Sequence, residues 1–141
     1  MQKEVKEKQS RTILFRGKRV DGLGWVQGYL FRFWGKAYIL WSMVNDNPDM
    51  IEVVPETVCQ FIGLSDKNDN PVWENDIVSR KDAEGNIRAL GVVRYGAFNC
   101  SCCDGVFGWT FDGDVDIREP YFYEVIGSIF DNPELLKGVE L

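Results

Sequence analysis

Histidine is absent from all 141 residues, and that gap removes much of the familiar catalytic repertoire. Without imidazole there is no Ser-His-Asp or Cys-His nucleophile pair and no His-based zinc site. Phosphate-gripping loops are missing too: no GxxxxGKS or GxxxxGKT run occurs, and no GxGxxG follows a strand. Long hydrophobic runs are also lacking. The longest, Ala37 to Val44, is far short of the about 20 residues a membrane helix needs. The opening MQKEVKEKQS has no apolar stretch of the kind a secretory signal carries. The expected location is therefore the cytoplasm, where the four cysteines stay thiols unless they bind metal or do redox work.

Positive charge is in short supply. Sixteen basic residues stand against 22 acidic ones, for a net charge of −6, so the averaged field repels phosphate backbones and a nucleic-acid partner is not expected. Arg11, Arg16, Lys18 and Arg19 form the one basic cluster, read here as a solubilising edge or loop.

Aromatic residues are plentiful, with nine Phe, five Tyr and five Trp, and they favour pleated surfaces. Residues 1–10 are charged and lack alternation, so they are expected to form a disordered or frayed arm, with one domain over 11–141. Thr12 to Phe15 suits a strand that Gly17 interrupts. WVQGYLFRFW, Gly35-Lys36 and AYILWSMV spell a hairpin with a two-residue Gly-X loop of type II′. That register sets Trp34 opposite Ala37 and Leu30 opposite Trp41. NDNPD at 45–49 and SDKNDNP at 65–71 are turn clusters, and strands are expected near 51–54, 57–62, 77–78 and 88–95. GAFNCSCCDGVFG, from Gly96 to Gly108, reads as a loop or irregular hairpin. Trp109 to Ile117 then alternates, with Phe111, Val115 and Ile117 on one face and Asp112, Asp114 and Asp116 on the other. After a last extended run from Tyr121 to Phe130, Asn132-Pro133-Glu134 signals a short C-terminal helix to about Lys137. Short strands between turn clusters argue for a compact barrel or sandwich.

The residues with chemical potential have plain explanations. Cys59, Cys100, Cys102 and Cys103 would supply four thiolates to a metal, but separated CxxC knuckles are lacking and so is a helix start, so inert thiols are expected and no metal or other cofactor is assigned. Asp112, Asp114 and Asp116, like Asp66, Asn68 and Asn70, fail the calcium-loop pattern, with Ile117 and Pro71 at the glycine position. Glu74 and Asp76 are the best-placed carboxylate pair, yet Asp76 has a simpler use in closing a tight turn before Ile77. YLFRFWGK resembles a base-stacking platform with only Arg32 and Lys36 beside its rings.

Four segments resemble the YopX family of phage and prophage proteins: RTILFRGK, VVPETVCQFIGLSDKNDNPVWENDIV over Val53 to Val78, GVVRYGAF over Gly91 to Phe98, and YEVIGSIFDNPELL over Tyr123 to Leu136. They occur in the family's order from Arg11 to Leu136. Asp69-Asn70 and Asn75 stand where that family tends to have Gly, at turn positions that Asn also occupies. The resemblance implies a mainly β fold centred on a small SH-three-like barrel, with extra hairpins and the short C-terminal helix added here. It carries no catalytic or binding residues, because the family's function is not established.

The expected role is a noncatalytic assembly or interaction protein, with a nucleic-acid-associated small barrel and an unrecognised enzyme as alternatives. A homo-oligomer is expected, and a phage or host protein is the other candidate partner. Alternation places Tyr29, Phe31, Phe33, Tyr38 and Leu40 on one face of the hairpin and Leu30, Trp34, Ile39 and Trp41 on the other. Both faces are apolar, so one needs a cover beyond the core. The second set is the expected interface, with the C-terminal segment folding over it as the alternative.

Overall fold

The computed structural model describes residues 12–100, 103–113 and 123–137. The chain is mainly β. Its strands are β1 (Phe15–Lys18), β2 (Trp25–Phe33), β3 (Lys36–Val44), β4 (Asn47–Val53), β5 (Cys59–Ser65), β6 (Pro71–Trp73), β7 (Asp76–Lys81), β8 (Ile87–Cys100), β9 (Cys103–Gly113) and β10 (Glu124–Ser128). They build two antiparallel sheets, ordered β4-β3-β2-β1-β5-β6 and β10-β7-β8-β9.

The larger sheet curls until the end of β4 meets the chain just past β1. An Arg19↔Val53 bridge marks the meeting, and Val54 N–H donates to the Lys18 carbonyl at 2.8 Å. One bridge does not make a ladder, so the expected barrel is a curled sheet and not a closed one. Two glycines permit the curl. Gly17 does not interrupt β1 as expected; a Cβ there would lie 2.8 Å from Val53. A Cβ on Gly28 would run into the Leu40 carbonyl oxygen of β3. Inside the curl Ala37, Ile39 and Val53 are fully buried, with Phe15, Val26, Leu30 and Val58 packed on them. A second core joins the sheets through Val72, Val78, Val93, Phe111 and Tyr123.

The first hairpin differs from its sequence reading by one turn position. Phe33 pairs with Lys36, Arg32 with Ala37 and Leu30 with Ile39. Trp34 and Gly35 are the turn, at φ 50° and 75°, so both central residues are left-handed and the turn is of the I′ kind. A tryptophan seldom takes that conformation, which is why glycine alone looked like the start of the loop. Pairing shifts by two residues, so Tyr29, Phe31, Phe33, Tyr38 and Leu40 keep the face read from alternation, whereas Trp34 leaves the face expected for it and turns its ring onto Phe33. Asn45 and Asp46, at φ 50° and 63°, make the next turn in the same way, and β4 begins at Asn47 rather than Ile51. Pro48 is tolerated there because β4 is an edge strand.

Of the loop or irregular hairpin expected over Gly96 to Gly108, the described residues form the hairpin: β8 and β9 pair from Gly91↔Gly113 to Phe98↔Val106, and the register shifts before Cys100↔Cys103. One further expectation changes. Pro133–Leu136 is a single 3-10 turn without a side-chain cap; Asn132 Oδ1 instead accepts from the Ser128 N–H at 3.3 Å.

Candidate functional site

The outer face of the curled sheet is where the chain's chemistry gathers. Cross-strand pairs Arg16↔Gln27 and Lys18↔Trp25, with Tyr29↔Leu40 and Phe31↔Tyr38, put Arg16, Lys18, Trp25, Gln27, Tyr29, Phe31 and Phe33 on one side of the pleat. The face is continuous, but its two ends meet different surroundings.

At the β1 end the second sheet and the C-terminal segment lie over it. Arg16 Nη2 donates to Asp76 Oδ1 at 2.5 Å, while its guanidinium carbon sits 4.3 Å from the Trp25 ring centroid and 5.2 Å from that of Trp73. Cation and ring quadrupole attract in that arrangement. Trp73 N–H donates to Asp76 Oδ2 at 2.9 Å, so Asp76 does close the tight turn. Lys18 pairs with Asp131, whose Oδ2 also accepts from Trp25 Nε1 at 2.7 Å. Phe130 meets Trp25 edge-on at 6.1 Å. The basic cluster is therefore not a solubilising edge: Arg16 and Lys18 sit on an interior strand, and their acids come from 60 and more residues away in sequence. Arg19 alone behaves as expected, gripping Asp21 at 2.7 Å in the exposed loop. Arg11 lies outside the described residues.

Burial dominates the electrostatics of this clamp. Asp76 is 2% exposed, and desolvation pushes its carboxyl up to about 6 against the pull of Arg16 and the Trp73 amide. Beside it, burial pushes the Cys59 thiol up to about 11. Asn75 Nδ2 lies 3.7 Å from that sulfur, and Asn75 Oδ1 accepts from Arg94 Nη1 at 2.5 Å. A neutral, covered thiol is a poor nucleophile. Both oxygens of Asp76 are engaged, and Glu74 Oε1 accepts from Gln60 N–H at 3.3 Å. The arrangement fastens one sheet to the other; it does not present a carboxylate pair to a substrate.

Asp66 does a similar job at the β5–β6 turn. Its Oδ1 accepts from the N–H groups of Asn68 and Asn70, each at 2.9 Å, and its Oδ2 from Val125 N–H of β10 at 2.8 Å. These bonds hold its carboxyl below the ordinary value in spite of burial, which acts in the opposite direction. The turn reading of Asp66, Asn68 and Asn70 thus describes their placement. Asp114, Asp116, Val115 and Ile117 lie outside the described residues, as do Cys102 and residues 1–10. Cys100 and Cys103 are placed only as the paired ends of β8 and β9, and Cys59 is on β5, buried.

At the hairpin end nothing among the described residues covers the face. Trp34 is 89% exposed, Tyr29 63%, Phe31 48% and Phe33 46%. The rings support one another: Phe31 and Phe33 stack at 6.0 Å, Phe31 and Tyr38 lie 6.5 Å apart, and Trp34 folds onto Phe33 at 4.0 Å. Met50, opposite Leu40 on β4, extends the patch, and Lys36 and Glu52 face each other at 3.8 Å on its rim. Of the expected interface residues, Ile39 is fully buried in the chain's own core and Leu30 packs on it. Trp34 tips the hairpin, and Trp41 is half-exposed where the β3–β4 register shifts. Among the described residues, the C-terminal segment reaches the face at Lys18 and Trp25.

A two-sheet β chain with an ion-paired clamp and an open aromatic face is the class these observations define. The family model described as YopX protein matches residues 14–137, and the chain belongs to that family. No curated protein matches it.

Proposed function

We propose that this chain is a noncatalytic interaction protein of phage or prophage type, working in the cytoplasm through protein contacts made by the open aromatic face. The carrying observation is that four aromatic side chains on one strand and its turn, Tyr29, Phe31, Phe33 and Trp34, are each 46% or more exposed and in ring contact along the row Trp34, Phe33 and Phe31. Contiguous apolar patches of this kind mark contact sites on soluble chains, and aromatics are what interface cores are enriched in. The candidate acids favour the noncatalytic reading, because the clamp and turn bonds already engage Asp76, Glu74 and Asp66.

A nucleic-acid-associated module is the second reading, supported by the stacked rings. Among the described residues, the open face lacks a cationic track. Lys36 is tied to Glu52, and Arg32 pairs with Ala37, which puts it on the opposite side of the pleat from the rings. An unrecognised enzyme is the third. Fluorescence anisotropy with labelled single- and double-stranded oligonucleotides separates the first two: no binding at micromolar protein is expected. Salt-sensitive binding that tight would replace the leading reading with the second.

A further inference from the structure

We infer that the occupant of the open aromatic face is a second copy of this chain, packed sheet on sheet about a two-fold axis, an inference that rests on the contact-surface reading above. Charge argues for it first. The chain carries −6 overall, yet among the described residues the charged groups at the hairpin end of the face are the paired Lys36 and Glu52. Two such faces meet without burying an unpaired charge, whereas a strongly basic or acidic partner finds nothing to pair with.

Shape and size agree. Aromatic side chains bury roughly 150–250 Å² each when fully covered. At the exposures of Tyr29, Phe31, Phe33 and Trp34, with Met50 beside them, the patch offers about 500 Å² per copy. That approaches the roughly 800 Å² per partner of a standard interface once a rim is added. The natural complement of a twisted sheet face is another sheet face, and a self-complementary patch is what a two-fold requires.

The neighbouring edge argues against capture of a peptide strand. β4 carries Pro48, Asp49 and Glu52, residues that blunt edge pairing, and its end is already bridged to Arg19. Association is left to the face.

Sedimentation velocity on the full chain, from low to high micromolar concentration, tests this. The expected result is a concentration-dependent dimer that added salt does not dissolve. Phe31→Asp and Tyr29→Lys each weaken it by more than about tenfold with the circular dichroism of the fold intact, while Leu23→Asp, in the exposed loop before β2, leaves it unchanged. A dimer that survives both face substitutions overturns the inference, as does a chain that stays monomeric throughout. In the monomeric case bis-ANS decides the wider reading. Dye binding abolished by Phe31→Asp leaves the face as a contact surface for a different partner, and no binding removes that reading too.

Discussion

Trp25 and Phe31 lie on the same strand and the same side of its pleat, yet one is half-buried under other elements and the other open. Trp25 is covered by Arg16, Lys18, Phe130 and Asp131. Phe31, six positions on, meets the rings of Phe33 and Tyr38 in its own hairpin and is 48% exposed. The difference is one of reach. β7 and the segment after β10 extend over β1 and the start of β2 and stop there, so the same alternation that builds an internal clamp at one end leaves an apolar surface at the other. An exposed aromatic therefore means something only beside its covered counterpart.

Breaking the covered end has the largest expected effect. Asp76→Ala leaves the Arg16 guanidinium enclosed between two rings without its carboxylate and frees the Trp73 amide, and it costs about 3–5 kcal/mol in urea denaturation. Trp25→Ala removes a ring with two cationic neighbours and its bond to Asp131; a loss of about 3 kcal/mol is expected by the same measurement. Asp66→Ala strands the amides of Asn68, Asn70 and Val125, and about 2 kcal/mol is expected to go with them.

The pH dependence of the clamp is smaller and has a definite sign. The folded-state carboxyl of Asp76 lies near 6, above its ordinary value of 3.8, so the folded chain holds this proton more tightly than the unfolded one. Its stabilising contribution is present at low pH and fades as pH rises through about 6. Between pH 7 and pH 5 the unfolding free energy of the wild type should gain about 1 kcal/mol relative to Asp76→Asn, which has no such proton. Asp66, Asp131 and Glu124, whose values are lowered, act in the opposite direction, and their contribution is lost only as pH falls through the usual carboxylate range. Paired urea titrations at the two pH values check the sign. At the open end, Phe31→Ala in dilute solution should change the stability of the monomer by no more than about 0.5 kcal/mol.

Much of this was legible in the chain itself. Alternation placed Tyr29, Phe31, Phe33, Tyr38 and Leu40 together, and they are together. The substitution of Asp69 and Asn75 at glycine positions of the family pattern was legible as turn chemistry, and both residues adopt positive φ, 64° and 67°. What alternation does not reveal is which face a distant segment covers. Arg16 and Asp76 are 60 positions apart, and no local signal links them. The hint was that Arg16 and Lys18 alternate on a strand that runs beside Trp25, whereas basic residues near a chain start looked like a solvated edge. The β8–β9 hairpin was legible only as one of two readings, a loop or an irregular hairpin. Its glycines and small residues resemble a loop, but cross-strand hydrogen bonds supply what those residues lack in propensity.

The central claim is that one sheet face is partly covered by the chain itself at Trp25 and open at Phe31 until a second copy covers it. Hydroxyl-radical footprinting read by mass spectrometry, on the full chain in dilute and in concentrated solution, tests both halves at once. The account predicts slow oxidation of Trp25 and Trp73 at either concentration, and fast oxidation of Tyr29, Phe31 and Trp34 in the dilute chain that slows on concentration. Fast oxidation of Trp25, or rates at Phe31 and Trp34 that are slow in dilute solution or indifferent to concentration, would contradict it.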